Sequence, residues 1–155
     1  ILRQEGRVRR ALLMVQREFA DRLTAEPGTK EYGPISVFVG LNAKVRSVFR
    51  VSPGAFHPRP EVESMLLEVT PRAFPGSTAE ERDAASRVAR AAMGSRRKTL
   101  ANALARGLRL PGPEARALLE EARIEGSRRG ETLSIGEVLG LARAWIRRGS
   151  PGGAE

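Results

Sequence analysis

Cysteine is absent from this sequence of 155 residues. Its absence excludes disulfides, thiolate zinc sites, iron–sulfur clusters and cysteine nucleophiles. The one histidine, His57, cannot build a histidine-based metal site by itself. No apolar run reaches the roughly 18 residues that a membrane-spanning helix needs, so no membrane partner is expected. A signal core or transit-like leader is also missing, and the cytoplasm is the expected location.

Positive charge, in contrast, is abundant. Lysine and arginine total 27 while aspartate and glutamate total 18, which gives a net charge of +9. Only Lys30, Lys44 and Lys98 are lysines, and arginine favours bidentate contacts with phosphate and stacking on bases. This balance points to nucleic acid as a partner. A GC-rich coding sequence, which also enriches arginine, is the alternative explanation.

The first half of the sequence, to about residue 72, contains strand-like and short helix-like segments. Residues 11–15 form a continuous apolar run, which is typical of a strand buried on both faces. Residues 35–41 are apolar and fit either a helix or a strand. Apolar patterns predict strands over residues 44–51 and 61–70, and their closeness in sequence predicts an antiparallel hairpin at a sheet edge.

The second half, after a turn-rich segment at residues 74–77, has a helical pattern. Capping-box sequences at residues 78–81 and 134–137 mark two helix starts, because a hydroxyl and a carboxylate can satisfy free backbone amides there. Trp145 falls on the apolar face of the last helix and is predicted to lie in the core. Four helices are predicted, over residues 78–93, 96–106, 113–122 and 134–146.

A stiff loop follows the first strand of the predicted hairpin. Pro58 and Pro60 fix their own backbone angles and restrict the residues before them, so the loop can hold Phe56 in one place. A rigidly held aromatic ring is a stacking surface for a flipped base, worth about 1–3 kcal/mol per base. The alternative is a proline-rich turn whose phenylalanine fills the core, and physical grounds alone favour that alternative.

Four strings of the sequence resemble the motifs of one enzyme family, in the same order. They read QREFADRL, PGTKEYG, FHPRPEVES and RRKTLAN, over residues 16–23, 27–33, 56–64 and 96–102. Each string is weak by itself, but the ordered set is specific and covers most of the chain. Together they resemble the small-subunit rRNA adenine dimethyltransferases of the KsgA type.

The resemblance implies a doubly wound, Rossmann-like α/β methyltransferase domain followed by a small all-α domain. This family transfers methyl groups from S-adenosylmethionine to the exocyclic amines of adjacent adenines in a hairpin loop near the 3′ end of small-subunit rRNA. Residues 1–73 are then expected to be the C-terminal part of the methyltransferase domain, and residues 77–149 a helical domain that contacts rRNA. Residues 150–155 are expected to be a disordered tail. A monomer that acts on the small ribosomal subunit is expected.

The resemblance also implies site residues. In related methyltransferases the phenylalanine of the F-x-P-x-P string packs on the target adenine, which makes Phe56 the expected stacking residue. Between Asp83 and Glu114 the sequence has seven basic residues and no acidic one, which favours salt-dependent contact with rRNA phosphates. Instead of contacting rRNA, these basic residues could form a solvated helix face, or one of the arginines could lock the two domains together. The expected RNA contacts are Arg96, Arg97, Lys98, Arg59 and Lys30.

Three features of the family are missing from the 155 residues: the glycine-rich turn that cradles the cofactor, the acidic residue for the ribose hydroxyls, and the N-[LI]-P-[YF] motif that orients the amine. The chain is therefore expected to be the C-terminal half of such an enzyme, unable to bind S-adenosylmethionine or methylate RNA alone. A macrolide-resistance methyltransferase of large-subunit rRNA shares the F-x-P-x-P string and stays open. So does a non-catalytic RNA-binding or ribosome-assembly module, or the mitochondrial transcription factor branch of the family.

Overall fold

The computed structural model describes residues 8–149, which form a three-stranded sheet and six α-helices. No helix in this range is long and apolar enough to cross a membrane. The tail predicted over residues 150–155 lies outside the described residues. In chain order the elements are β1 (Ala11–Gln16), α1 (Arg17–Leu23), α2 (Pro34–Asn42), β2 (Ala43–Val51), β3 (Ser64–Pro71), α3 (Ala79–Met93), α4 (Leu100–Gly107), α5 (Gly112–Glu121) and α6 (Ile135–Arg147).

The three strands lie in the order β1-β3-β2, and the central β3 pairs antiparallel with both neighbours. The strands predicted over residues 44–51 and 61–70 are confirmed as β2 and β3. They form the predicted hairpin, with β2 at the edge of the sheet. Leu67 and Val69 of β3 are buried in a small core that Ala20 of α1 joins, because alternate residues of a strand point to the same face.

The apolar run near residue 11 is confirmed as the strand β1, but the prediction that both of its faces are buried is wrong. Leu13 and Val15 pack against the small core, whereas Leu12 is 60% exposed and Met14 is 53% exposed. Alternate side chains of an edge strand need a covering layer on each face to be buried. No element within residues 8–149 buries the side of β1 that carries Leu12 and Met14.

Residues 35–41, which fit either a helix or a strand by sequence, belong to the helix α2. Pro34 begins the helix, because its fixed backbone angle suits the first turn, and the Gly33 N–H donates to Ser36 Oγ at 3.1 Å. Val37 and Leu41 of α2 are buried in the large core that α3 to α6 build. Side chains from before and after residues 73–77 therefore share one core. The division into two domains at this point stays a prediction.

Both capping boxes are present. At the start of α3, Thr78 Oγ1 accepts a hydrogen bond from the Glu81 N–H (3.1 Å), and Glu81 Oε2 accepts one from the Thr78 N–H (2.9 Å). Ser134 and Glu137 make the same pair of bonds at the start of α6, at 3.2 and 2.7 Å. Trp145 is buried in the large core, as predicted.

The helix α4 begins at Leu100, not at Arg96 as the sequence predicts. Residues 95–98 form a turn in which the Lys98 N–H donates to the Ser95 carbonyl oxygen at 2.9 Å. Thr99 is extended and occupies the N-cap position without a capping hydrogen bond from its side chain. Three of the predicted RNA contacts, at residues 96–98, therefore lie on a loop and not on a helix face.

Glu137, the carboxylate of the capping box of α6, has a strongly lowered pKa. Arg128 donates to the Glu137 carboxylate, and together with the Ser134 amide and hydroxyl it lowers the pKa of Glu137 to about 2. A carboxylate with a lowered pKa in the folded state stabilises the fold above its unfolded pKa. That contribution is lost as the pH falls through the folded value.

Replacing Glu137 with glutamine is expected to lower the free energy of unfolding by about 1 kcal/mol at neutral pH, a figure reduced for solvent screening of this half-buried pair. The difference should shrink as the pH falls from 4.5 towards about 2. Urea unfolding followed by circular dichroism, at neutral pH and near the folded pKa of Glu137, measures this difference in the free energy of unfolding. Glu120→Gln on the exposed side of α5 is the control, and equal losses at both pH values would contradict the role of Glu137 ionisation.

Candidate RNA interface

Phe56 lies in the connection between β2 and β3, directly after a 3₁₀ turn at Pro53–Ala55. Its N–H donates to the Pro53 carbonyl oxygen at 3.3 Å, and its backbone is extended. The side chain is half-buried and belongs to neither of the two apolar cores. The ring is thus not the core plug that physical grounds alone favoured, and it keeps a surface that a ligand can reach.

The far end of the Phe56 loop is held against the start of α1. The Arg17 N–H donates to the Glu63 carbonyl oxygen at 2.9 Å, and the Arg17 guanidinium donates to the Glu63 carboxylate at 2.8 Å. The side-chain bond raises the pKa of Arg17 and lowers the pKa of Glu63. Arg17 and Glu63 are 46 residues apart in the sequence. The fold therefore joins two of the four motif strings.

The loop that contains Lys30 meets the basic turn at residues 96–98. The Arg96 guanidinium donates to the Lys30 carbonyl oxygen at 3.0 Å, and the Arg129 guanidinium donates to the Arg96 carbonyl oxygen at 3.3 Å. Two predicted RNA contacts, Lys30 and Arg96, are therefore neighbours. Through this bond Arg96 also joins the loop of Lys30 to the turn before α4.

The remaining predicted contacts are free side chains. Arg59, Arg97 and Lys98 are exposed, and no residue of the described part of the chain pairs with them. Arg59 lies on the loop of Phe56, whereas Arg97 and Lys98 lie on the turn before α4. The structure thus places two basic groups beside Arg96 and one beside Phe56.

Tyr32, in the PGTKEYG string, is a buried structural residue. Its hydroxyl donates to the Leu133 carbonyl oxygen at 2.9 Å, and burial raises the pKa of Tyr32 to about 12. Nearby, the Gly28 N–H donates to the Glu131 carbonyl oxygen at 2.8 Å. The PGTKEYG string therefore fixes its loop to the segment before α6, and this anchoring leaves the Lys30 side chain exposed.

Arg82 is a joining residue that the sequence analysis missed. It is buried on α3, where its guanidinium donates to Asn42 Oδ1 at 3.2 Å and to the Ser77 carbonyl oxygen at 3.1 Å. The available signal is its spacing, because Arg82 lies three and seven residues before the buried Ala85 and Ala89 and so falls on the apolar face. A buried charge needs such partners, and these partners hold α3 against the end of α2.

A family model described as "Ribosomal RNA adenine dimethylase" matches residues 1–142. The chain belongs to this family. A relative from Desulfitobacterium hafniense, named "Ribosomal RNA small subunit methyltransferase A", is 41% identical over 146 residues, covering 94% of this chain and 52% of the relative. A relative of the same name from Geobacter metallireducens is 43% identical over 141 residues, covering 90% and 51%. The chain spans about half the length of these relatives.

Two solved structures confirm the α/β methyltransferase fold class that the sequence predicted for this chain. A dimethyladenosine transferase from Plasmodium falciparum superposes with a TM-score of 0.77 at 24% identity, covering 94% of this chain and 60% of that one. The 23S rRNA methyltransferase ErmE superposes with a TM-score of 0.62 at 19% identity, covering 91% and 56%. Identities this low establish the fold and leave the choice of RNA open.

Adenine dimethylases are methyltransferases, a class that uses S-adenosylmethionine as methyl donor, but the described residues do not fit this cofactor. The strand β1 leads straight into α1 without a glycine between them, so no glycine-rich turn approaches a ligand there. A cavity of 540 Å³ beside α1 is lined by charged groups of both signs, including Asp21, Arg22 and Lys30. A larger one of 1120 Å³ is lined by four arginines, which repel a sulfonium cation. No residue within 8–149 is therefore assigned to the cofactor.

Proposed function

We propose that the protein containing this chain dimethylates the exocyclic amines of adjacent adenines near the 3′ end of small-subunit rRNA during ribosome biogenesis. S-adenosylmethionine supplies the methyl groups, through residues outside the described range. The enzyme acts as a monomer on the small ribosomal subunit, in the cytoplasm. The observation that carries this proposal is the family match over residues 1–142, together with relatives at 41–43% identity that bear the small-subunit name.

In this proposal Phe56 is the platform on which the target adenine stacks. The 3₁₀ turn before it and the Arg17–Glu63 ion pair after it fix both ends of its loop, so the ring is held in place before the base arrives. A preorganised ring orders the base without further loss of loop entropy. Its partly exposed surface, outside both cores, is what supports this role.

The basic side chains hold the RNA around that adenine. Arg97 and Lys98 are exposed and unpaired within the described chain, and they suit contact with backbone phosphates. Lys30 and Arg96 extend the same surface, since the Arg96 guanidinium binds the Lys30 backbone. Arg59 adds one cation on the Phe56 loop itself. Phosphate contacts of this kind position the RNA but carry no sequence information.

A hybrid enzyme tests the proposal, because the chain spans about half of its relatives. Residues 1–155 replace the matching half of the Geobacter metallireducens methyltransferase, and the hybrid is incubated with labelled S-adenosylmethionine and with small ribosomal subunits unmodified at the target adenines. Methyl transfer to the amines of adjacent adenines near the 3′ end of small-subunit rRNA is expected.

The control is the unaltered Geobacter enzyme assayed in parallel. A folded hybrid that binds small subunits without methyl transfer would favour the non-catalytic RNA-binding module instead. In a parallel incubation with unmodified large-subunit rRNA, transfer to that RNA and none to the small subunits would favour the macrolide-resistance type.

A further inference from the structure

A second basic surface lies in the 1120 Å³ cavity, an open groove formed by α3, the C-terminal end of α4 and the start of α5. We call it the arginine groove. Glu114 is the one acidic residue among those that line it. Its four basic residues are Arg87, Arg90, Arg106 and Arg109. None of them belongs to the turn at residues 96–98, so the basic stretch between residues 83 and 114 folds into two separate clusters.

A close helix contact forms the groove. A Cβ atom on Gly107 would lie 2.5 Å from both the Cα and the Cβ of Ala91, so only glycine allows α4 to approach α3 this closely. Arg90 and Arg106 directly precede these two contact residues on their helices. The contact therefore brings guanidinium groups from two helices to one cavity.

Three of the four guanidinium groups in the arginine groove have no partner within the described residues. Arg90, Arg106 and Arg109 are exposed, and no residue of the described chain forms an ion pair or a side-chain hydrogen bond with them. Arg87 lies over the Trp145 ring, with its guanidinium carbon 4.7 Å from the ring centroid. Trp145 is buried beneath it, so the groove offers guanidinium donors and no free aromatic face for a base.

Arg109 adopts a backbone conformation that favours glycine. Its φ is 56°, at the position after the C-terminal cap of α4, where the left-handed conformation is usually taken by glycine because a Cβ is strained there. The side chain of this strained residue lines the groove.

We propose that the arginine groove binds a phosphodiester segment of RNA, as a second backbone site beside the turn at residues 96–98. Unpaired guanidinium groups match phosphate oxygens bidentately, and the absence of a free aromatic face favours backbone over base contact. Gly94 and Ser95 line the groove and directly precede Arg96. One RNA strand can therefore run from the groove onto the basic turn, and in this respect the inference rests on the proposed function.

The test measures the affinity of the 155-residue chain for a fluorescein-labelled single-stranded RNA of about 20 nucleotides, by anisotropy over a range of salt concentrations. Arg109→Gly removes one cation and relieves the strained backbone, so the melting temperature is expected to stay equal or to rise. Removal of one phosphate interaction reduces the slope of log K against log salt by about 0.7. The slope is therefore expected to fall by about that amount.

Arg123→Gly is a matched control. Arg123 is also exposed, also has a φ of 56°, and does not line the groove. Its replacement removes the same charge and the same strain, and it is expected to leave the slope unchanged. A second variant, Arg90→Gln with Arg106→Gln, is expected to lower the slope by about 1.4.

Other outcomes separate this inference from the proposed function. If Arg97→Glu with Lys98→Glu weakens RNA binding while the groove variants match the unsubstituted chain, the groove inference is wrong and the proposed function stands. If the unsubstituted chain fails to bind RNA, the groove inference is contradicted, whereas the proposed function is decided by the methyl-transfer assay of the hybrid enzyme. If polyglutamate of equal total charge displaces the RNA as well as unlabelled RNA does, the groove is a site for an acidic protein and not for RNA.

Discussion

Phe56→Ala in the hybrid enzyme is expected to lower kcat/KM for methyl transfer by about 10- to 100-fold, the rate equivalent of a stacking contact of about 1–3 kcal/mol. The loss follows from the removal of the ring that orders the extruded adenine. Because the ring belongs to neither apolar core, the free energy of unfolding should change by less than about 1 kcal/mol. Activity and stability should thus separate in one variant.

Two further variants make the Phe56 result specific. Phe56→Tyr keeps a flat ring of similar size and is expected to retain most of the activity. Phe49→Ala removes an exposed ring from β2, where Phe49 is 55% exposed, and it is expected to leave kcat/KM within about twofold. Initial rates measured against RNA concentration check all three. Equal losses for Phe56→Ala and Phe49→Ala, or full activity of Phe56→Ala, would contradict the role of this ring.

Gly130→Ala is expected to destabilise the isolated chain by about 3 kcal/mol or more, the upper range for an overpacked site. A Cβ at this position would lie 2.2 Å from the Ala92 carbonyl oxygen and 2.6 Å from the Ala92 carbonyl carbon. The obstacle is the backbone of α3, which cannot rotate away as a long side chain can. The substitution must therefore push the segment before α6 away from α3 and weaken the contacts of Tyr32 with Leu133.

Gly140→Ala in α6 is the matched control for Gly130→Ala. No atom lies within 4 Å of a Cβ built on Gly140, and alanine in a helix interior is favoured over glycine by about 1 kcal/mol. The control is therefore expected to raise the melting temperature, whereas Gly130→Ala should lower it by about 6–12 °C. Thermal unfolding followed by circular dichroism measures both. A Gly130→Ala chain as stable as the parent would show that α3 and the segment before α6 do not pack this closely.

The elements that were correctly predicted are those in which neighbours in sequence decide the structure. The capping boxes at Thr78 and Ser134 bring together groups three residues apart, and they form in any context where a helix follows. The apolar spacing of α6 placed Trp145 in the core for the same reason. The hairpin of β2 and β3 also follows from the apolar patterns of two segments that are neighbouring strands in the sequence.

The incorrect predictions concern features that distant segments decide. Burial of Leu12 and Met14 depends on whether another layer covers β1, which an apolar run cannot state. The start of α4 depends on the turn before Thr99. A hydrogen bond from the Leu100 N–H to the Arg128 carbonyl oxygen (2.8 Å) fixes the end of that turn. A helical pattern that runs through residues 96–98 contains no sign of this long-range bond.

The candidate site shows the same division. The sequence selected Phe56 and the basic string at residues 96–98 by their motifs, and the proposed function rests on them. It could not show that Arg96 binds the Lys30 backbone, that Arg82 holds α3 against α2, or that four arginines from α3, α4 and the turn after α4 line one groove. Each of these depends on atoms that are far apart in the chain.

The amino-acid sequence by itself determined the family resemblance, the net charge of +9, the helix caps and the identity of the stiff loop at Phe56. These properties are carried by residue types and by spacings of a few positions. Only the tertiary structure decided which face of β1 is uncovered, that the Phe56 ring lies outside both cores, and how the arginines divide between a turn and a groove. The physical reason is that burial and charge clustering depend on which segments pack together, and local patterns do not specify that packing.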